Sequence, residues 1–83
     1  MKYSQKTLLT NITLKKDKNG QDYWIIKTSY KSYLAFSQDE SLTPQTLSIL
    51  TNFSAQIINK EVILTILKQG EKEKVIGIEL LKD

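Results

Sequence analysis

Asp22-Tyr23-Trp24-Ile25-Ile26-Lys27-Thr28 and, after a short polar break, Ser32-Tyr33-Leu34-Ala35-Phe36-Ser37 carry the densest strand signal in the chain. Side chains alternate across a strand, so Trp24, Ile26 and Thr28 share one face of the first run, and Tyr23, Ile25 and Lys27 share the other. In the second run Leu34 and Phe36 point one way, Tyr33 and Ala35 the other. The expected core faces are Trp24 with Ile26, and Leu34 with Phe36. That choice turns Tyr23, Ile25, Lys27 and Tyr33 outward. A slip by one residue would exchange the two faces, and would then expose Leu34 and Ile26.

Upstream, Thr7 to Lys15 also alternates, with Leu8, Thr10, Ile12 and Leu14 on one face. Asp17-Lys18-Asn19-Gly20 ends that run, and Asn-Gly is a strong hairpin signal because both residues tolerate positive φ. Downstream, Thr43 is a good N-cap with Pro44 at the first helical position, where its missing N–H costs nothing. Leu42 and Leu47 are spaced as a hydrophobic staple. Leu47, Leu50 and Phe53, with Ile49, make a stripe near period 3.6, and the helix is expected to end near Asn52 to Ser54. Gln56 to Leu67 is rich in β-branched residues. Gln69-Gly70-Glu71-Lys72-Glu73 then turns the chain into a last strand, Lys74 to Leu81, in which Gly77 marks a bulge or a close backbone approach. Leu50, Val62, Leu64, Ile66, Ile76 and Ile78 complete the expected core.

The reading is mostly β with one helix, in the order β-β-β-α-β-β, within a single domain spanning 1–83. A three-strand meander, a helix and a final hairpin is the order of the OB-fold, a five-stranded Greek-key barrel. Between Thr7 and Leu81 the chain resembles that family in element order and spacing. Tyr23 to Thr28 followed by Tyr33 to Ser37 looks like strands two and three of small OB domains that bind single-stranded nucleic acid. The resemblance implies five antiparallel strands, and a replication accessory protein of a phage or mobile element. A small SH3-like barrel and an open antiparallel sheet with a helix fit the same element order.

The 83 residues include no cysteine and no histidine. This removes disulfides, thiolate metal sites, the commonest general base and the commonest metal ligand. Three glycines form no phosphate-binding loop. The carboxylate pairs, Asp39-Glu40, Glu71 with Glu73, and Asp17 with Asp22, fall in turns and read as solvated charges. The expectation is a binding domain with no catalytic residue, metal, cofactor or small-molecule substrate. No apolar run approaches the ~20 residues of a membrane helix. Nothing after Met1 to Lys6 resembles a signal peptide, so the expected location is cytoplasmic.

The net charge is +3, from 12 basic residues, all lysine. OB-folds bind oligonucleotides on the face of strands two and three, framed by the loops joining strands one to two and four to five. Lys15, Lys16 and Lys18 fall in or beside the first loop; Lys68, Lys72 and Lys74 fall in or beside the second. Lys27 and Lys31 lie on strand two and just after it. Tyr23, Ile25 and Tyr33, joined by Tyr30 from the turn, would supply the rings and apolar surface on which bases stack. The same features have a plainer meaning: loops collect lysines, and Tyr and Ile are good strand formers.

Ile57-Ile58 and Val62-Ile63-Leu64 are apolar on both faces, and Leu9, Leu67, Val75 and Leu81 fall on expected outer faces. Exposed apolar strand faces mark interfaces. The alternative function is therefore an OB-like module that binds a larger protein or a second copy of itself, without nucleic acid. Coverage by the helix and the N-terminal segment would remove that surface.

Overall fold

Strands form where the sequence alternates, but two β-bulges and one short turn decide which residues face inward. The computed structural model describes residues 1–81. Its elements are β1 (Lys2–Lys16), β2 (Asp22–Thr28), β3 (Ser32–Phe36), α1 (Pro44–Asn52), β4 (Glu61–Gln69) and β5 (Lys72–Leu80). A 3-10 turn, Ser54–Gln56, follows the helix and takes up Gln56, where the next strand was expected to begin. The protein is thus mostly β with one helix, but β1 starts earlier than the alternation suggested and β4 starts later. No described helix is long and apolar enough to cross a membrane.

The strands close into a ring in the order β1-β2-β3-β5-β4. β1 closes it by pairing with β4 through Lys2–Leu8 and with β2 through Leu9–Lys16. Not all neighbours are antiparallel: β3 and β5 run parallel, paired at Leu34 and Lys74. The long connection through α1 and β4 permits this, since a parallel pair needs a crossover rather than a tight turn.

Leu9 and Val75, expected on outer faces, are fully buried. The cause is a bulge in each strand. Thr10 is the extra residue between Leu9 and Asn11, and Ile76 the extra residue opposite Thr65 and Ile66. An extra residue reverses the in–out parity beyond it, so Leu9 and Ile12 both face the core although they are three apart in sequence. At the second bulge Val75 and Ile76 are both buried. Gly77 follows directly; a Cβ there would lie 3.2 Å from Thr65 Cβ and Oγ1, so the close approach expected at this position exists.

The core contains Trp24, Ile26, Leu50, Val62, Leu64, Ile66, Ile76 and Ile78 as expected, but neither Leu34 nor Phe36. Tyr33 and Ala35 take their places, 2% and 0% exposed. The β2–β3 turn sets this. Thr28 N–H donates to Lys31 O (3.1 Å), and Thr28 Oγ1 accepts from the N–H groups of Tyr30 and Lys31. With only Ser29 and Tyr30 between those ends, Ile26 pairs with Tyr33 and Trp24 with Ala35. Residues opposite one another share a face, so an inward Trp24 forces an inward Ala35.

Thr43 caps α1 by accepting from Thr46 N–H (3.2 Å), with Pro44 at the first turn. The helix is clipped to the β5 bulge. Thr43 N–H donates to Ile76 O, and the buried Thr46 Oγ1 accepts from Ile78 N–H (3.0 Å). Leu50 thereby enters the core, while Phe53, at the end of the expected stripe, stays exposed. In the β1–β2 hairpin Asp17 Oδ1 accepts from Asn19 and Gln21 N–H, and Gly20 alone takes positive φ, +80°. The outer face of β4 is not a bare apolar wall. Ile63 and Leu67 are half-buried and lie beside Lys6 and Lys2 of β1. Ile57 is buried.

Candidate nucleic-acid interface

Register places three rows of side chains on the outer face of β1, β2 and β3. The first is Lys15, Tyr23 and Phe36; the second Thr13, Ile25 and Leu34, extended across the parallel seam by Lys74; the third Asn11, Lys27 and Ser32. Leu34 and Phe36 are 38% and 37% exposed, and the Tyr23 and Phe36 rings lie 6.0 Å apart between centroids at 30°. The outward aromatic pair is therefore Tyr23 with Phe36. Tyr33, expected there, is a core residue. The ring that pairs with Tyr23 could have been found from sequence: once Trp24 and Ile26 are set inward, a two-residue turn leaves Ser32, Leu34 and Phe36 to face out.

The β1–β2 hairpin adjoins the Tyr23–Phe36 end of this patch, where Ser37 N–H donates to Asp22 O (3.1 Å). The β4–β5 turn adjoins the other end. Between it and β3 lies a groove of about 550 Å³ lined by Lys31, Leu34, Phe36, Glu71, Lys72 and Lys74, among others. Tyr30, 72% exposed, projects from the β2–β3 turn outside the three rows.

The eight lysines divide into two sets. Lys16 pairs with Asp22 (3.0 Å), Lys31 with Glu73 (2.5 Å) and Lys74 with Asp39 (3.0 Å). Lys15, Lys18, Lys27, Lys68 and Lys72 make no ion pair among the described residues. A cation with an internal partner must lose it, or share it, to meet a phosphate. The second set is the better placed for anions.

Glu73 and Asp39 were read as solvated turn carboxylates, and the structure corrects both. Glu73, its side chain 20% exposed, accepts from Tyr3 O–H and from Lys31 Nζ. Those two hydrogen bonds, Lys31's first, hold its carboxyl below the usual carboxylate range, and the Lys31 ammonium correspondingly titrates above its own. The bond to Glu73, with burial, pushes the Tyr3 phenol well up. Burial raises Tyr33. Lys31 Nζ also lies 5.3 Å from the Tyr33 ring centroid and 5.7 Å from that of Tyr30, within cation–π range. Asp39, only 9% exposed, is pushed up by burial, but the Ser41 N–H bond to Oδ1 and the Lys74 charge outweigh this and leave it lowered. Its Oδ2 meets Lys74 as an ion pair without hydrogen-bond geometry. Nothing in the sequence pattern marks Tyr3, Asp39 or Glu73 as a set; only ring closure brings β1, β3 and β5 together.

No cluster of three or more metal-ligating His, Cys, Asp or Glu side chains occurs among the described residues. No family model matches the chain, and no curated protein is similar to it in sequence.

Proposed function

We propose that this chain is an OB-type domain that binds single-stranded DNA or RNA, with little sequence preference, on the outer face of β2 and β3. The ring order, with β1 shared between β2 and β4 and a helix between β3 and β4, supports the OB assignment. The observation that carries the function is the Tyr23–Phe36 pair, set beside Ile25 and Leu34, with Lys15 and Lys27 in the same rows, Lys18 on the β1–β2 turn and Lys72 at the β4–β5 turn. Unpaired bases offer π-faces to such rings, and each stack contributes roughly 1–3 kcal/mol. A duplex keeps its base faces stacked inside, which favours single strands. A cytoplasmic location fits this role. A second reading, docking of a larger protein or a second copy, draws on the exposure of Leu34 and Phe36.

The test is an anisotropy titration of a labelled thymidine oligonucleotide at two salt concentrations. Phosphate contacts release counterions, so log K falls with log salt at about −0.7 per phosphate on a single strand. With three to five lysines engaged, a slope of about −2 to −3.5 is expected. No anisotropy change at micromolar protein in low salt would exclude nucleic acid and leave the protein-docking reading.

A further inference from the structure

Charge is distributed unevenly across the patch, and a single strand is uneven in the same way. On the β1–β2 side, Lys15, Lys18 and Lys27 have no ion-pair partner among the described residues. On the β3–β5 side the cations are compensated. Lys31 is tied to Glu73, which Tyr3 O–H also holds, and Lys74 is tied to Asp39, whose other oxygen is fixed by Ser41 N–H. Drawing Lys74 onto a phosphate would leave a nearly buried carboxylate unpaired, which is strongly unfavourable. Lys72 faces the same groove as Glu71 and Glu73, so its field is offset there. The apolar part of the groove lining is Tyr33, Leu34 and Phe36. A phosphodiester gains little in a charge-balanced, partly apolar groove, whereas an uncharged heterocycle gains a stacking surface beside polar side chains.

Resting on the proposed function, we infer that a bound single strand lies sidewise on the patch, with its phosphates over Lys15, Lys18 and Lys27 and its bases turned toward β3 and the β3–β5 groove. Lys31 and Lys74 are then staples across the seam between β3 and β5, where Leu34 with Lys74 is the only ladder pairing among the described residues. They are positioning residues rather than phosphate contacts.

The arrangement is tested with the full chain and a thymidine oligonucleotide. Lys15→Ala combined with Lys27→Ala should lower the magnitude of the salt slope by about 1.4, two contacts at 0.7 each, with the melting temperature unchanged. Lys31→Met and Lys74→Met should lower the melting temperature and leave the slope where it was. The reverse pattern of slopes overturns the inference. Since the Met variants remove internal ion pairs, a second measurement uses the unaltered protein. Photo-crosslinking through 5-iodouracil bases should label β3 or the β4–β5 hairpin; labelling confined to β1, its hairpin and β2 overturns the inference. An oligonucleotide that fails to bind the unaltered protein removes the proposed function itself, whereas binding with the wrong slope or crosslink pattern removes only this orientation.

Discussion

Replacing Tyr23 and Phe36 together by alanine is expected to weaken oligonucleotide binding by about 2–6 kcal/mol, the loss of two base stacks. The salt slope should stay nearly constant, because no cation is removed. The rings lie 6.0 Å apart, so their effects will not add. Each single substitution disturbs the support of the other ring, and a double-mutant cycle should show coupling. Phe36 is 37% exposed and Tyr23 half-buried, on the outside of the ring. Their removal should therefore change the melting temperature far less than a core truncation. An equal loss of affinity and of fold would mean that the two rings are structural.

Tyr33→Ala should do the opposite. Tyr33 is 2% exposed, pairs with Ile26 across the β2–β3 ladder, and lies under the Lys31 ammonium. Truncating a buried aromatic costs about 3–5 kcal/mol, through lost transfer energy and the cavity left behind. Small domains are held by only ~5–15 kcal/mol, so this variant should melt markedly earlier and unfold at lower denaturant. Tyr33→Phe keeps the ring and should restore most of the stability. Measured where Tyr33→Phe is folded, its oligonucleotide affinity should match the unaltered protein. A Tyr33→Ala protein with full stability but weakened binding would put Tyr33 on the interface and overturn the observed β3 register.

The contrast between these tyrosines shows where sequence alone was enough and where it was not. The element order apart from the 3-10 turn after α1, the Thr43 cap and the core faces of Trp24, Ile26, Val62, Leu64 and Ile66 were legible, because alternation and capping are local signals. The outward face of β2, carrying Tyr23, Ile25 and Lys27, was legible for the same reason. What failed was parity carried across a break. Leu34 and Phe36 look like a core pair within their own strand, but the Thr28–Lys31 turn ties their parity to that of Trp24. Thr10 and Ile76 reverse parity inside β1 and β5 without a sequence mark beyond Gly77. The ion pairs of Lys31 and Lys74 join residues 42 and 35 positions apart, since Glu73 and Asp39 meet them only once the ring closes. Charge placement read from loops therefore overcounted the cations free to meet a phosphate.

The direct test of the β2–β3 face as the binding surface is amide NMR with a short thymidine oligonucleotide added to the isotopically labelled chain. Shifts should concentrate on Tyr23, Ile25, Lys27, Leu34 and Phe36 and on the Asp17–Gln21 loop, with little change at Ile63, Leu67 or the α1 helix. Shifts centred instead on α1 or on the outer face of β4, with the β2–β3 rows unmoved, would contradict it.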